Sequence, residues 1–150
     1  MNWNEKFSGD QYSYGTQPND FLRSVADRIK AEGNVLSLCE GEGRNAVFLA
    51  EQGFAVLGVD GSDVGLKKAL RLAEERGVAI KTQVAVLSEY DIEPEKWDAI
   101  VIIFGHLPGE LRKKVSEKIV GGLKKGGIVI IEGYSPRQLQ YNTGGPKDVN

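Results

Sequence analysis

The sequence predicts an α/β fold, a doubly wound and mostly parallel sheet held between helices in three layers. Apolar runs of strand length take turns with stretches whose apolar residues recur every three or four positions. The connections between them are short, and the first strand runs into a glycine-rich bend that opens a helix.

Taken in order, residues 1–20 carry Trp3, Phe7, Tyr12 and Tyr14 ahead of any periodic stretch. They read either as a flap that closes over a ligand or as a segment packed on the sheet edge. Residues 21–31 have helical spacing, and Val-Leu-Ser-Leu at 35–38 is the first strand. The helix at 44–52 ends at Gly53, and residues 55–59 form the second strand. The next helix, 64–76, is capped at its start by Ser62 or Asp63 and closed by Gly77. Residues 78–86, broken by Lys81, Thr82 and Gln83, form the third strand. The runs 99–103 and 128–131 are continuously apolar and so predict strands buried on both faces, with a helix at 109–123 between them. Residues 133–150 read as loop.

Composition narrows the function. One domain of 150 residues with 41% hydrophobic residues has enough apolar surface for a core. Nineteen basic against 21 acidic residues leave a net charge of −2, which gives no electrostatic ground for nucleic acid or an anionic membrane. The lysine pairs 67–68, 113–114 and 124–125 read as solvated helix faces. One cysteine and one histidine form no metal-ligand cluster, no run approaches the ~20 apolar residues of a membrane span, and the N-terminus has no apolar leader. A cytoplasmic protein acting on a small molecule, without a metal, is expected.

In doubly wound sheets the ligand binds beyond the carboxyl ends of the strands, where strand order reverses. There the first strand gives way to Cys39-Glu40-Gly41-Glu42-Gly43-Arg44-Asn45-Ala46. Glycines let the backbone turn tightly and approach a ligand, and the helix N-terminus offers partial positive charge. Asp60 ends the second strand 19 residues after Gly41, where a carboxylate can accept both hydroxyls of a ribose. Gly41-x-Gly43-x-x-Ala46 also satisfies the dinucleotide fingerprint, so these residues alone leave two cofactors open.

The chain resembles class I S-adenosylmethionine-dependent methyltransferases, with their Rossmann-like fold, and in particular the small group related to tellurite-resistance methyltransferases. The resemblance is carried by residues 12–22 (Tyr-Ser-Tyr-Gly-Thr-Gln-Pro-Asn-Asp-Phe-Leu), by residues 41–46 with Leu49-Ala50-Glu51, and by Val59-Asp60-Gly61-Ser62. Further on, Trp97-Asp98-Ala99-Ile100-Val101, His106-Leu107-Pro108 and residues 122–127 continue it. It implies S-adenosylmethionine as cofactor, its methionine part against Glu40, Gly41, Glu42, Gly43 and Asn45, its ribose on Asp60 with Gly61 and Ser62, and its adenine near Val86 and Leu87. Phe104 to His106 would border the transferred methyl group, and Tyr14 would face the substrate.

The chain departs from that pattern at Ser37, Cys39 and Glu40, where the family usually has Asp and Gly-Cys, and at Val86, where many relatives carry Asp. Lys125 replaces a common proline. Family members also continue past the fifth strand into a helix and a final antiparallel strand pair. Those strands are expected to be missing, so that the chain is a fragment or an edge is filled by a second copy in a homodimer. His106 either orients or deprotonates a nucleophile, or is a loop residue bonded to backbone. Cys39, with no base beside it in sequence, reads as a small buried filler. Two other functions stay open: an NAD(P)-binding oxidoreductase, from the glycine spacing, and a non-catalytic S-adenosylmethionine-binding module.

Overall fold

In the computed structural model, which describes residues 1–148, five parallel strands lie in the order β3-β2-β1-β4-β5. They are β1 (Asn34–Leu38), β2 (Ala55–Asp60), β3 (Lys81–Val84), β4 (Trp97–Ile103) and β5 (Leu123–Glu132). The chain winds outward from β1 to β3, then crosses back to place β4 on the other side of β1. Strand order therefore reverses between β1 and β4, which opens a crevice at their carboxyl ends.

The helices are α1 (Trp3–Lys6), α2 (Asp20–Val25), α3 (Arg44–Glu51), α4 (Asp63–Glu75) and α5 (Gly109–Gly122). One apolar cluster joins Leu22 and Ala26 to Ala46, Leu49 and the inward residues Val35, Val56, Ala99, Val101 and Ile130. The opposite face buries Leu36, Leu38, Ile100 and Ile102 against Val115 and Ile119 of α5 and Tyr90 of the irregular link 85–96. Trp97 is packed into this second cluster at 3% exposure.

Local chemistry sets the ends of these elements. Asn19 caps α2 by accepting the Leu22 N–H at 2.9 Å, and Ser62 caps α4 by accepting the Gly65 N–H at 3.0 Å. Gly53 and Gly77 take the left-handed conformation after α3 and α4, at φ 94° and 69°. Helix α2 is shorter than the periodicity of 21–31 predicts. After Val25 the chain tightens into a single 3₁₀ turn, Ala26–Arg28, and then extends at Ile29, which buries that side chain in the core.

Four expectations need correction. The third strand is Lys81–Val84 alone, so the polar triplet 81–83 belongs to the strand rather than breaking it. β3 lies at the sheet edge, where polar side chains meet solvent, while Val78 and Ile80 turn away to pack on Val47, Leu72 and Ala73. The fifth strand is not buried on both faces. It is the other edge, and Val129 and Ile131 are 44% and 54% exposed while Ile130 points into the core. Lys68 is buried at 6%, not solvated, and Lys124 lies on β5, where it pairs with Asp98 at 3.1 Å. Within the stretch expected to be loop, Pro136–Tyr141 forms a 3₁₀ helix, and positions 149 and 150 lie outside the described residues.

The N-cap of α3, Gly43, whose φ is 95°, lies close against α4; a Cβ there would stand 2.5 Å from the Cβ of Ala69 and 2.6 Å from its Cα. Gly43→Ala combines left-handed strain with overpacking against backbone and should destabilise the fold by about 2–4 kcal/mol. Urea unfolding should show this as a lower midpoint at unchanged slope, and an unmoved midpoint would rule out the close approach.

Candidate functional site

The turn after β1 is built by three left-handed residues, Cys39 (φ 55°), Gly41 (φ 65°) and Gly43 (φ 95°), the last serving as N-cap of α3. This folds the loop back so that the Gly41 N–H faces the tip of β2. There Asp60 accepts it at 2.9 Å on Oδ2 and accepts the Ser62 N–H at 2.8 Å on Oδ1. The acid and the glycine loop expected to cooperate are thus in direct contact. Burial raises the Asp60 carboxyl above the ordinary value, against the pull of these N–H groups.

The two loop glutamates turn in opposite directions. Glu40 folds under the loop, with one carboxylate oxygen bonded to the Ser37 hydroxyl and the other accepting the Ala46 N–H at 2.8 Å. Its stem lies over Gly58, where a Cβ would approach its Cγ to 3.1 Å. Burial pushes the Glu40 carboxyl up to about 7. Glu42 points outward to α4, pairs with Lys68, and accepts the Ser13 N–H at 2.7 Å.

Other residues marked from the sequence are distributed around this turn. Asn45 accepts the Asn19 N–H at 2.9 Å, and Asn19 in turn donates to Glu132 at 2.7 Å, which ties α3 to the end of β5. Ser62 is buried, its hydroxyl engaged as the α4 cap and with Asn4 at 2.6 Å. Gly61 and Val86 line one cleft of about 660 Å³ with Gln83, Ala85, Glu89 and Tyr90, while Leu87 packs on the α5-side core. Asp60 thus stands between the glycine loop and this cleft, which has room for a planar base.

At the tip of β4, Phe104 takes a left-handed φ of 52°, and Gly105 fits against Cys39, where a Cβ would lie 2.7 Å from its Sγ. Cys39 is half-buried, and burial raises its thiol to about 12, so it is no thiolate nucleophile. His106 is exposed and stacks on Tyr134 with centroids 5.2 Å apart, and Phe104 contacts the same tyrosine at 4.9 Å. Partial desolvation lowers the imidazole from its ordinary value. Tyr14 is 55% exposed, one residue after the Ser13 N–H that Glu42 holds, with Lys6 5.6 Å from its ring.

Sequence reasoning took Lys68 for a solvated lysine and gave Tyr134 and Asn19 no role in the site. Lys68 had a signal, for it stands three residues after Gly65 on the face that buries Leu72 and Ala69. Tyr134 had none, lying in an irregular stretch after β5.

A family model described as a methyltransferase domain matches residues 35–127. Among curated proteins, 2-heptyl-1-hydroxyquinolin-4(1H)-one methyltransferase of Mycobacteroides abscessus is 27% identical over 137 residues, covering 89% of this chain and 60% of that protein. Among solved structures, a Pyrococcus horikoshii protein superposes with a TM-score of 0.73 at 23% identity, covering 89% of this chain and 64% of the other. A TehB-like S-adenosylmethionine-dependent methyltransferase of Corynebacterium glutamicum superposes with a TM-score of 0.65 at 23% identity, covering 80% and 67%. The chain therefore spans 60% of the length of the curated relative and 64% of the Pyrococcus protein.

The raised Glu40 carboxyl has a consequence for stability. A carboxyl titrating near 4.5 when unfolded and about 7 when folded favours the fold in its protonated form. Its contribution is complete below about pH 4.5 and is lost as pH rises through about 7. The loss should amount to about 3 kcal/mol by pH 8. Unfolding free energies measured from pH 4.5 to 8 for the parent and Glu40→Gln should diverge in slope, the variant being flatter. Parallel profiles would show that Glu40 is ionised throughout.

Proposed function

Because this chain belongs to the methyltransferase domain family, we propose that it binds S-adenosylmethionine along the glycine loop and transfers its methyl group to a small-molecule acceptor. The observation that carries this reading is Asp60, set at the tip of β2 against the Gly41 N–H and beside the cleft lined by Gly61 and Val86. A carboxylate there can accept both ribose hydroxyls, with the base in the cleft and the amino-acid end along the loop. The residues present fit such a group: Gly61 leaves bare backbone beside the cleft, where an added Cβ would meet only Val86 Cγ1 at 3.8 Å and the Ala85 carbonyl oxygen at 3.9 Å, while the Phe7 ring backs Gly41.

When bound, the cofactor supplies a methyl group made electrophilic by its sulfonium. The protein's part is to orient the acceptor and exclude water. Phe104 and His106 follow β4 on the far side of the crevice from Asp60, and Tyr134 backs them with its ring. A neutral imidazole, favoured by its lowered pKa, can accept a proton from the acceptor heteroatom or align it by a hydrogen bond. Tyr14 closes the site from the N-terminal side.

We read the acceptor as a heteroatom of a small metabolite or, by the finer resemblance to the tellurite-resistance-related group, a metalloid oxyanion. The stacked rings of His106 and Tyr134 favour the organic acceptor, since ring faces recognise flat organic surfaces better than a small hydrated anion. The curated relative carries 2-heptyl-1-hydroxyquinolin-4(1H)-one in its name, which is consistent with this preference.

Titration calorimetry tests the cofactor site. S-adenosylmethionine should bind and NAD should not, and Asp60→Ala should weaken binding by about 1–3 kcal/mol through lost charge-assisted hydrogen bonds. An unchanged dissociation constant would remove Asp60 from the site. Label from the cofactor methyl group appearing in none of a panel of hydroxyl, thiol, amine and oxyanion acceptors would leave a binding module without turnover.

A further inference from the structure

Lys68 is the most heavily engaged side chain in the described structure. From the buried face of α4 the three N–H donors of its ammonium are shared among four acceptors, the backbone carbonyl oxygens of Phe7 (3.3 Å), Gly9 (2.9 Å) and Gln11 (2.8 Å) and the carboxylate of Glu42. The second carboxylate oxygen of Glu42 accepts the Ser13 N–H at 2.7 Å. Tyr12 donates its hydroxyl to the Lys68 carbonyl at 3.1 Å and lays its ring 4.9 Å from the ammonium. One buried ion pair therefore gathers residues 7–13, which lie outside regular helix and strand, onto the glycine loop and α4.

The same strap plugs the loop. Phe7 is 3% exposed, and its ring fills the space that side chains at two glycines would need: a Cβ on Gly41 would come within 3.3 Å of it, and one on Gly65 within 2.9 Å. Trp3 stacks on its outer side at 5.5 Å.

A buried ion pair adds little net stability, because desolvating both charges offsets their attraction, and well-packed apolar residues of the same volume hold helices together equally well. Leu66, Ala69, Leu72 and Ala73 already anchor α4. What the pair does that apolar residues cannot is fix one path for a length of irregular backbone, by offering directed donors to alternate carbonyls.

We propose that Glu42 and Lys68 are positioning residues of the cofactor site, which hold residues 7–13 against the glycine loop so that Phe7 backs Gly41 and Tyr14 stands beside the loop. Both charges are taken up by each other and by residues 7–13, so Glu42, expected against the methionine part of the cofactor, acts through the strap instead. The inference rests on the reading of the glycine loop as the S-adenosylmethionine site, and it assigns the strap to cofactor capture.

The test uses the full 150-residue chain and S-adenosylhomocysteine, the unreactive product, as calorimetric probe. Lys68→Met should weaken binding tenfold or more and speed chymotryptic cleavage at Tyr12 and Tyr14 by a similar factor. Lys68→Arg should restore much of both, which a general loss of packing would not allow. Phe7→Ala leaves no buried charge unpaired, so it carries the same comparison if Lys68→Met folds poorly, and it too should weaken binding at least fivefold. Accelerated cleavage in either variant with binding within twofold of the parent would overturn the proposal. A parent chain that does not bind the probe at all would instead overturn the cofactor reading, and this inference with it.

Discussion

The molecule depends on the turn that ends β1. Left-handed backbone at Cys39, Gly41 and Gly43 reverses the chain within a few residues, and each neighbouring feature uses the result. The Gly41 N–H meets Asp60, Gly43 lets α3 touch α4, and the bare face of Gly41 accepts Phe7. A cysteine in that conformation costs about 1–2 kcal/mol. Glu40 supplies the restraint that holds it, because its carboxylate joins the Ser37 hydroxyl of β1 to the Ala46 N–H of α3 and so fixes both sides of the bend.

That restraint ties the first strand to the loop beyond the turn, because the carboxylate of Glu40 reaches back to the Ser37 hydroxyl. Gly58 on the adjacent strand leaves the room the glutamate stem needs. The acid, the serine and the glycine make one packing unit spread over two strands, and no one of the three explains itself alone.

Much of the architecture is legible in the sequence because burial imposes period. The strand cores at 35–38, 55–59 and 99–103, the helices α3, α4 and α5, and the Ser62 cap all follow from spacing and turn chemistry. The two edges of the sheet are less legible. β3 is polar and β5 is apolar on a face that α5 leaves exposed, so hydrophobicity misreports both. In the site, the partnership of Gly41 with Asp60 could be read from a spacing of 19 residues. The directions of Glu40 and Glu42 could not, for two glutamates separated by one glycine look alike until the backbone between them is left-handed. Lys68 shows the same limit, since a lysine on an apolar stripe acquires a reason only when the carbonyls of a distant segment converge on it.

The two tryptophans of the chain divide it optically. Trp97 is sealed in the sheet at 3% exposure, its indole N–H without a hydrogen-bond partner among the described residues, and such a ring emits at short wavelength. Trp3 rides on the outer face of Phe7 at 44% exposure and emits toward the red, as a wet indole does. The colour of the protein's own fluorescence therefore carries two separate signals, one from the core and one from the strap. A movement of the N-terminal segment would change the second and leave the first alone, with no label attached.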